Sequence, residues 1–345
     1  MRFELSWIKT LLSRFARPAI LVVSCLVLVA GMFAACGGDD DDGGDVAEAG
    51  SEEGEPVSLD VGVIPIADVA PLYLGIEEGF FEEENLRINP QPAEGGAIIT
   101  PEVISGDLQI GYSNTVSLLI AASQDLPVKI ISQGVIAGRD ESEAWADLLV
   151  LKDGPIKEPS DLEGKAIVVN TLNSICEVTI KASLEDMGVD VSTLKFAEVP
   201  FVDMNAALEA GRVEGACAVE PFVTAGKAAN AVGIDPFFVN TAPDLTVATY
   251  FTTRQYAEEN ADVVERFVRA IHRSLDFAEQ NPDKVRKILP TYTEIPDAVA
   301  QQITLPAWRS DLNEDTIELT AELAVKYGLI EEAPNLEELL LSPTG

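Results

Sequence analysis

Residues 59–88 read Leu-Asp-Val-Gly-Val-Ile-Pro-Ile-Ala-Asp-Val-Ala-Pro-Leu-Tyr-Leu-Gly-Ile-Glu-Glu-Gly-Phe-Phe-Glu-Glu-Glu-Asn-Leu-Arg-Ile, an order that few folds accept. The β-branched run Val61, Val63 and Ile64 breaks at Pro65 and reads as a buried strand entering a turn. Asp68 is placed as an N-cap, and Pro71 falls in the first helical turn. Leu72, Ile76 and Phe80 repeat at helical spacing, with Gly79 as the stop. A second short strand follows at residues 86–88. Strand, polar turn, helix and strand make one unit of an open α/β sheet, where ligands bind beyond the carboxyl ends of the strands. Asp68 therefore lies on a candidate cleft wall; the plainer reading is an ordinary first βα unit.

The unit recurs along the chain. Gly95-Gly96 marks a loop, and a helix is expected from residue 100, with Pro101 in its first turn. A strand then runs to Tyr112, and Ser113-Asn114-Thr115 opens an apolar helix. Strands are expected at residues 127–133 and 145–151, separated by the charged loop 138–143. Residues 165–169 begin a fresh unit, so the first crossing between lobes is expected near residues 150–153. That strand reaches Asn170-Thr171-Leu172-Asn173-Ser174, and a helix with Ile180, Leu184 and Met187 follows to Gly188. The strand at residues 213–219 ends in Glu220-Pro221-Phe222. A strand at residues 245–252 returns to the first lobe, and Asn260 caps a long helix with Val264, Phe267, Ile271 and Leu275 on one face.

The first 36 residues do not belong to this pattern. Arg2, Lys9, Arg14 and Arg17 form a basic segment, residues 19–33 are apolar, and Ala34-Ala35-Cys36-Gly37-Gly38 resembles the lipobox of a bacterial lipoprotein. Phe33 departs from the usual Leu or Val at its position. Cys36 would become the lipidated N-terminus; an uncleaved anchor and ordinary secretion are the alternatives. Residues 37–56 then carry nine acids and no base, a self-repelling run that cannot build a core and reads as a tether. The whole chain of 345 residues has a formal charge of −35, and its mature part has no basic patch, which argues against nucleic acid as a partner.

Beyond Cys36, two cysteines remain for the mature domain, Cys176 and Cys217. Outside the cytoplasm such a pair is open to a disulfide, since Cys217 lies on the strand expected beside the helix that Cys176 opens. Two small buried apolar residues is the alternative.

Ala-Pro-Leu-Tyr opening a helix, then Gly-Phe-Phe with an acidic run and Leu, and a strand closing in Glu-Pro-Phe resemble the solute-binding proteins of ATP-driven importers for nitrate, sulfonate, taurine and thiamine-pyrimidine precursors. The resemblance runs over residues 57–341. It implies a two-lobed α/β fold of the periplasmic-binding-protein type (type II), with two hinge crossings. Lobe 1 would comprise residues 57–150 and, with the C-terminal helices, residues 248–345; lobe 2 would comprise 151–247. It further implies an extracytoplasmic, lipid-anchored monomer that passes a small organic solute to a permease and its ATPase, with no cofactor and no metal. Ligand contacts carried over are Ser113, Asn114 and Thr115 from the first lobe, joined by Asp68, and Thr171, Asn173, Ser174 and Glu220 from the second. Each has a plainer reading as a cap or a solvated strand end.

An enzyme is not expected. The single histidine, His272, lies on the long helix, and neither a phosphate loop nor a clustered metal site stands in the sequence. A pyrimidine-precursor synthase of the same fold is the enzymatic alternative, but the Cys-rich motif of those relatives is missing. A stand-alone ligand sensor is the other. Asp68 and Glu220 favour a ligand with N–H donors; the turns themselves supply no Arg or Lys to clamp an anion, and Arg139, in a nearby loop, is the candidate for that role.

Overall fold

The computed structural model describes residues 55–341. Cys36 and nearly all of the acidic run lie outside the described residues. Ten strands are present: β1 (Val57–Val63), β2 (Leu86–Pro92), β3 (Ile110–Asn114), β4 (Val128–Ile136), β5 (Ala146–Leu151), β6 (Ala166–Val169), β7 (Lys195–Glu198), β8 (Gly215–Val219), β9 (Ala231–Gly233) and β10 (Thr246–Thr253). They form two five-stranded sheets, ordered β2-β1-β3-β10-β4 and β7-β6-β8-β5-β9. The orders are equivalent. In each sheet three parallel strands are followed by an antiparallel fourth strand and an edge strand.

That equivalence shows where the chain changes sheet. The fourth strand of each sheet is the one that has just arrived from the other: β5 after β4, and β10 after β9. Residues 146–151, expected as the last strand of the first lobe, pair instead with β8 and β9 of the second sheet. The first crossing is therefore between Ile136 and Ala146, earlier than residues 150–153. An apolar strand carries no mark of which sheet it will join, and Asp153-Gly154 is only the turn at its far end. The return crossing, between Gly233 and Thr246, brings β10 into the first sheet.

Helices fill the connections: α1 (Ala70–Glu77), α2 (Phe80–Glu83), α3 (Gly96–Ser105), α4 (Thr115–Ser123), α5 (Ile175–Asp186), α6 (Phe201–Glu209) and α7 (Phe222–Ala229). Pro71 sits in the first turn of α1, and Gly79 adopts a positive φ of 79° just after it. The long helix Ala261–Gln280 buries Val264, Phe267, Ile271 and Leu275 against the first sheet's helical layer. Asn260 stands at its N-cap position, though without a side-chain cap bond. Cys176 and Cys217 are disulfide-bonded, with Cα atoms 6.2 Å apart, so α5 is tied to β8 inside the second lobe.

Two local expectations change. Asp68 does not cap α1: it lies in a short 3-10 turn, and the N-cap position belongs to Val69. α3 begins at Gly96, not near residue 100, which puts Pro101 inside the helix. The glycines explain that early start. A Cβ on Gly96 would come 2.1 Å from Ser113 Oγ, and one on Gly95 would come 2.6 Å from Thr171 Oγ1. Only glycine lets this helix end approach so closely.

Candidate functional site

The carboxyl ends of β1, β3, β6 and β8 converge between the two sheets around a cavity of about 30 Å3. Asp68, Tyr112 and Asn114 line it from the first lobe, and Asn170, Ile175 and Phe201 from the second. None of its lining residues is Lys or Arg. Such a space holds a water or two, so any larger ligand enters only when the lobes part.

Asp68 is the chemical centre. It is only 3 % exposed; Tyr112 donates to Oδ2 at 3.4 Å, and Oδ1 has no partner. Its main chain is pinned, because Trp308 Nε1 donates to the Asp68 carbonyl at 2.9 Å. Burial pushes its pKa from 3.8 up to about 7, against the pull of its own backbone bond and of Tyr112. A buried carboxylate with an unused oxygen is costly, and a donor supplied from outside would relieve that cost. Tyrosines crowd the same point: Tyr112 meets Tyr250 edge-on, and Tyr73 stacks on Tyr292, whose hydroxyl donates to the Ile66 carbonyl. Sequence reasoning missed this cluster, since its members lie on β3, β10, α1 and a late turn.

The residues after β3 divide their work. Asn114 caps α4, accepting from Ser117 N at 3.0 Å, and the same Oδ1 accepts from Ile175 N across the cleft at 3.2 Å. The first amide of α5 is thereby taken by the protein itself. Ser113 is fully buried with an unpartnered Oγ. Thr115, expected at the ligand, donates to the carbonyls of Thr246 and Val247 and fastens α4 to β10.

In the second lobe, Ser174 is buried with an unpartnered Oγ, and Thr171 is buried against Gly95. Asn173 is exposed, has a positive φ of 53°, and donates its amide to Glu177 Oε2 at 3.1 Å. Glu220 has both oxygens in use. Oε2 accepts from Thr224 N at 3.0 Å; Oε1 accepts from Thr224 Oγ1 at 2.7 Å and Thr304 N at 3.2 Å. Its carbonyl accepts from Ala67 N of the facing lobe at 3.0 Å. Burial raises its pKa while these bonds lower it. Arg139 is paired with Glu143 on the surface and does not line the cavity. His272 is half-buried on the long helix and lines a separate groove.

Two similar sheets meeting end to end, joined by two crossings, with polar groups facing inward from both, define a two-lobed, cleft-type binding fold. The chain belongs to the NMT1/THI5-like family, whose model matches residues 66–285. It is 26 % identical over 204 residues to a taurine-binding periplasmic protein of Escherichia coli (strain K12), covering 59 % of this chain and 61 % of the relative. It is 23 % identical over 225 residues to a formylaminopyrimidine-binding protein of Halalkalibacterium halodurans, covering 64 % of this chain and 65 % of that one. The chain thus spans less than two thirds of either relative's length. The fold is also that of the alkanesulfonate-binding protein SsuA of Xanthomonas axonopodis pv. citri, with a TM-score of 0.67 at 17 % identity over 84 % of this chain and 98 % of the other. A ligand-binding component of an ABC-type import system from Staphylococcus aureus aligns with a TM-score of 0.72 at 13 % identity, over 83 % and 96 %.

Proposed function

We propose that this protein captures a small, nitrogen-bearing organic solute between its lobes and hands it to the permease of an ATP-driven importer, without chemistry of its own. The observation that carries this reading is the unpartnered Oδ1 of buried Asp68 in a cavity lined by neither Lys nor Arg. An inorganic anion or a bare sulfonate would meet a carboxylate there and no cation to offset it. The α5 amide that would otherwise attract an anion is held by Asn114. A ligand with an amine or amidine edge donates to Asp68 instead, with Asn114 and Asn170 among the other polar side chains of the lining; Ser113 and Ser174, unpartnered but outside that lining, would join only as the lobes part. The names of the taurine- and formylaminopyrimidine-binding relatives support a solute of this size, and both include an amine-derived nitrogen.

Closure supplies the signal. Bonds such as Ala67 N to Glu220 O and Ile175 N to Asn114 Oδ1 join the lobes here, and a ligand bridging the same two faces would favour a closed state wide enough to admit it. Cys36 as a lipidated N-terminus, with the acidic run as tether, would hold such a monomer at the outer face of the membrane. Among the described residues no helix is long and apolar enough to cross a membrane. Thr171 stays in the proposed contact set at the lobe boundary, whereas Thr115, Asn173 and Glu220 take supporting roles. The test is mass spectrometry of small molecules released from the purified protein, followed by calorimetric titration. A nitrogen-bearing solute whose affinity drops at least tenfold in Asp68→Asn is expected. Tight nitrate or methanesulfonate binding, unchanged in that variant, would overturn the reading.

A further inference from the structure

The deep cavity is not the whole space between the sheets. A second cavity of about 220 Å3 lies beside it, and Ile64, Ile66 and Phe201 line both. The first lobe walls it with the turn after β1 and the end of β2; the second lobe walls it with the start of α6 and of α7. Its character is the reverse of the deep site. Glu94 is the one ionisable residue in its lining, and three of the remaining positions are prolines, which lack an N–H to offer. Phe201 and Phe222 stack within it, with ring centroids 6.2 Å apart. Val202, in the first turn of α6, stands on the lining while 58 % exposed.

We propose that this cavity is a second subsite of the cleft, taking the apolar part of the same ligand whose nitrogen-bearing head meets Asp68. The inference rests on the reading of the cleft given above. Continuity fixes the occupant: the shared Ile64, Ile66 and Phe201 leave the head site bordered by apolar surface on the side of this cavity. A substituent leaving the head in that direction enters a space built from both lobes. Each methylene removed from water there strengthens binding about fourfold. Because the walls come from both lobes, that gain belongs to the closed state and adds to the closure signal. The solute class is therefore amphipathic: a small amine or amidine head with a short aliphatic or aryl tail.

The test uses 2-aminopyridine, whose protonated edge presents two N–H donors to a carboxylate, and its 4-alkyl derivatives from methyl to pentyl. Calorimetric titration of the purified protein should show Kd falling about fourfold per added methylene until the cavity is full. Val202→Asp, at an exposed position, should flatten that series, and Val202→Ser should flatten it in part. Asp68→Asn should weaken every member by the same factor. A parent compound that binds through Asp68 with no dependence on chain length overturns the second subsite and leaves the reading of the cleft standing. A chain-length trend that survives Val202→Asp likewise overturns it. If no member binds protein shown to be folded by circular dichroism, the reading of the cleft falls with it.

Discussion

Asp68 and Glu220 are the two acids buried at strand ends on opposite sides of the cleft, at 3 % and 1 % exposure, and they have opposite circumstances. Glu220 accepts three hydrogen bonds from other residues; Asp68 accepts one long one from another residue, Tyr112, and its Oδ1 has no partner. Burial raises the pKa of both, yet only Glu220 is offered enough donors to stay a satisfied carboxylate. The contrast teaches that a buried acid in a cleft is not by itself a ligand group. The full complement at Glu220 joins α7, the segment at Thr304 and, through its carbonyl, the facing turn at Ala67. The deficit at Asp68 is what a ligand can fill.

Removing Glu220 should have the largest effect on the fold. Glu220→Ala strips acceptors from Thr224 N, Thr224 Oγ1 and Thr304 N together, and should cost roughly 3–5 kcal/mol in urea unfolding. Glu220→Gln retains a carbonyl oxygen and should cost less than half of that. If Glu220→Ala unfolds with the parent's midpoint but binds no ligand, Glu220 is a contact group and the distinction between the two acids fails. Next comes the disulfide behind Glu220. It ties β8, at Cys217 three residues upstream, to α5 across a sequence separation of 41, so Cys176→Ser with Cys217→Ser should cost roughly 2–4 kcal/mol. The loss should appear as earlier thermal unfolding, with the ligand's Kd nearly unchanged.

Asp68→Asn should act in the opposite direction. Its carboxyl titrates near 7 folded and 3.8 unfolded, so the folded state holds the proton more tightly. Stability therefore falls as pH rises from about 4 to about 7 and stays reduced above that. The asparagine variant escapes this penalty and should be more stable than the parent by roughly 1–3 kcal/mol at pH 8, with little difference at pH 4. Ligand affinity should drop at the same time. Guanidinium melts of both proteins at the two pH values decide it, and a variant less stable at pH 8 than at pH 4, relative to the parent, contradicts the assignment.

Much of this was legible in the residues, because polar turns after apolar strands announce themselves locally. Ser113, Asn114 and Ser174 were marked by following a strand and opening a helix, and Asn114 does cap α4. What was not legible depends on partners far along the chain. Thr115 differs from Ser113 only through carbonyls 131 and 132 residues away, and Glu220 differs from Asp68 through Thr304, 84 residues on. Gly95-Gly96 read as a loop because nothing local says that Ser113 and Thr171 press against it. The sheet crossing was misplaced for a related reason: β5 is as apolar as a strand of either sheet, and only its pairing with β8 assigns it.

The smallest expected effect belongs to Arg139, and it probes the comparison from the side of charge. Arg139, on the loop between β4 and β5, is the arginine the sequence offers for clamping an anion at the cleft turns, so an anionic ligand would be expected to recruit it. In the structure its guanidinium is bonded to Glu143, four residues on, through Nε and Nη2, and its side chain is 63 % exposed. Exposed i,i+4 pairs contribute little to stability, and the group stands apart from the cavity that Asp68 lines. Arg139→Ala should therefore leave the thermal midpoint within a degree or so of the parent and the ligand's Kd within twofold. Calorimetry at low and high salt sharpens the result, since recruitment of a surface arginine would make binding weaken as salt screens it. A tenfold loss of affinity in Arg139→Ala, together with salt sensitivity, would mean that the ligand is held by a cation. Asp68 would then be a carboxyl kept protonated by burial, donating to the ligand where the present reading has it accepting.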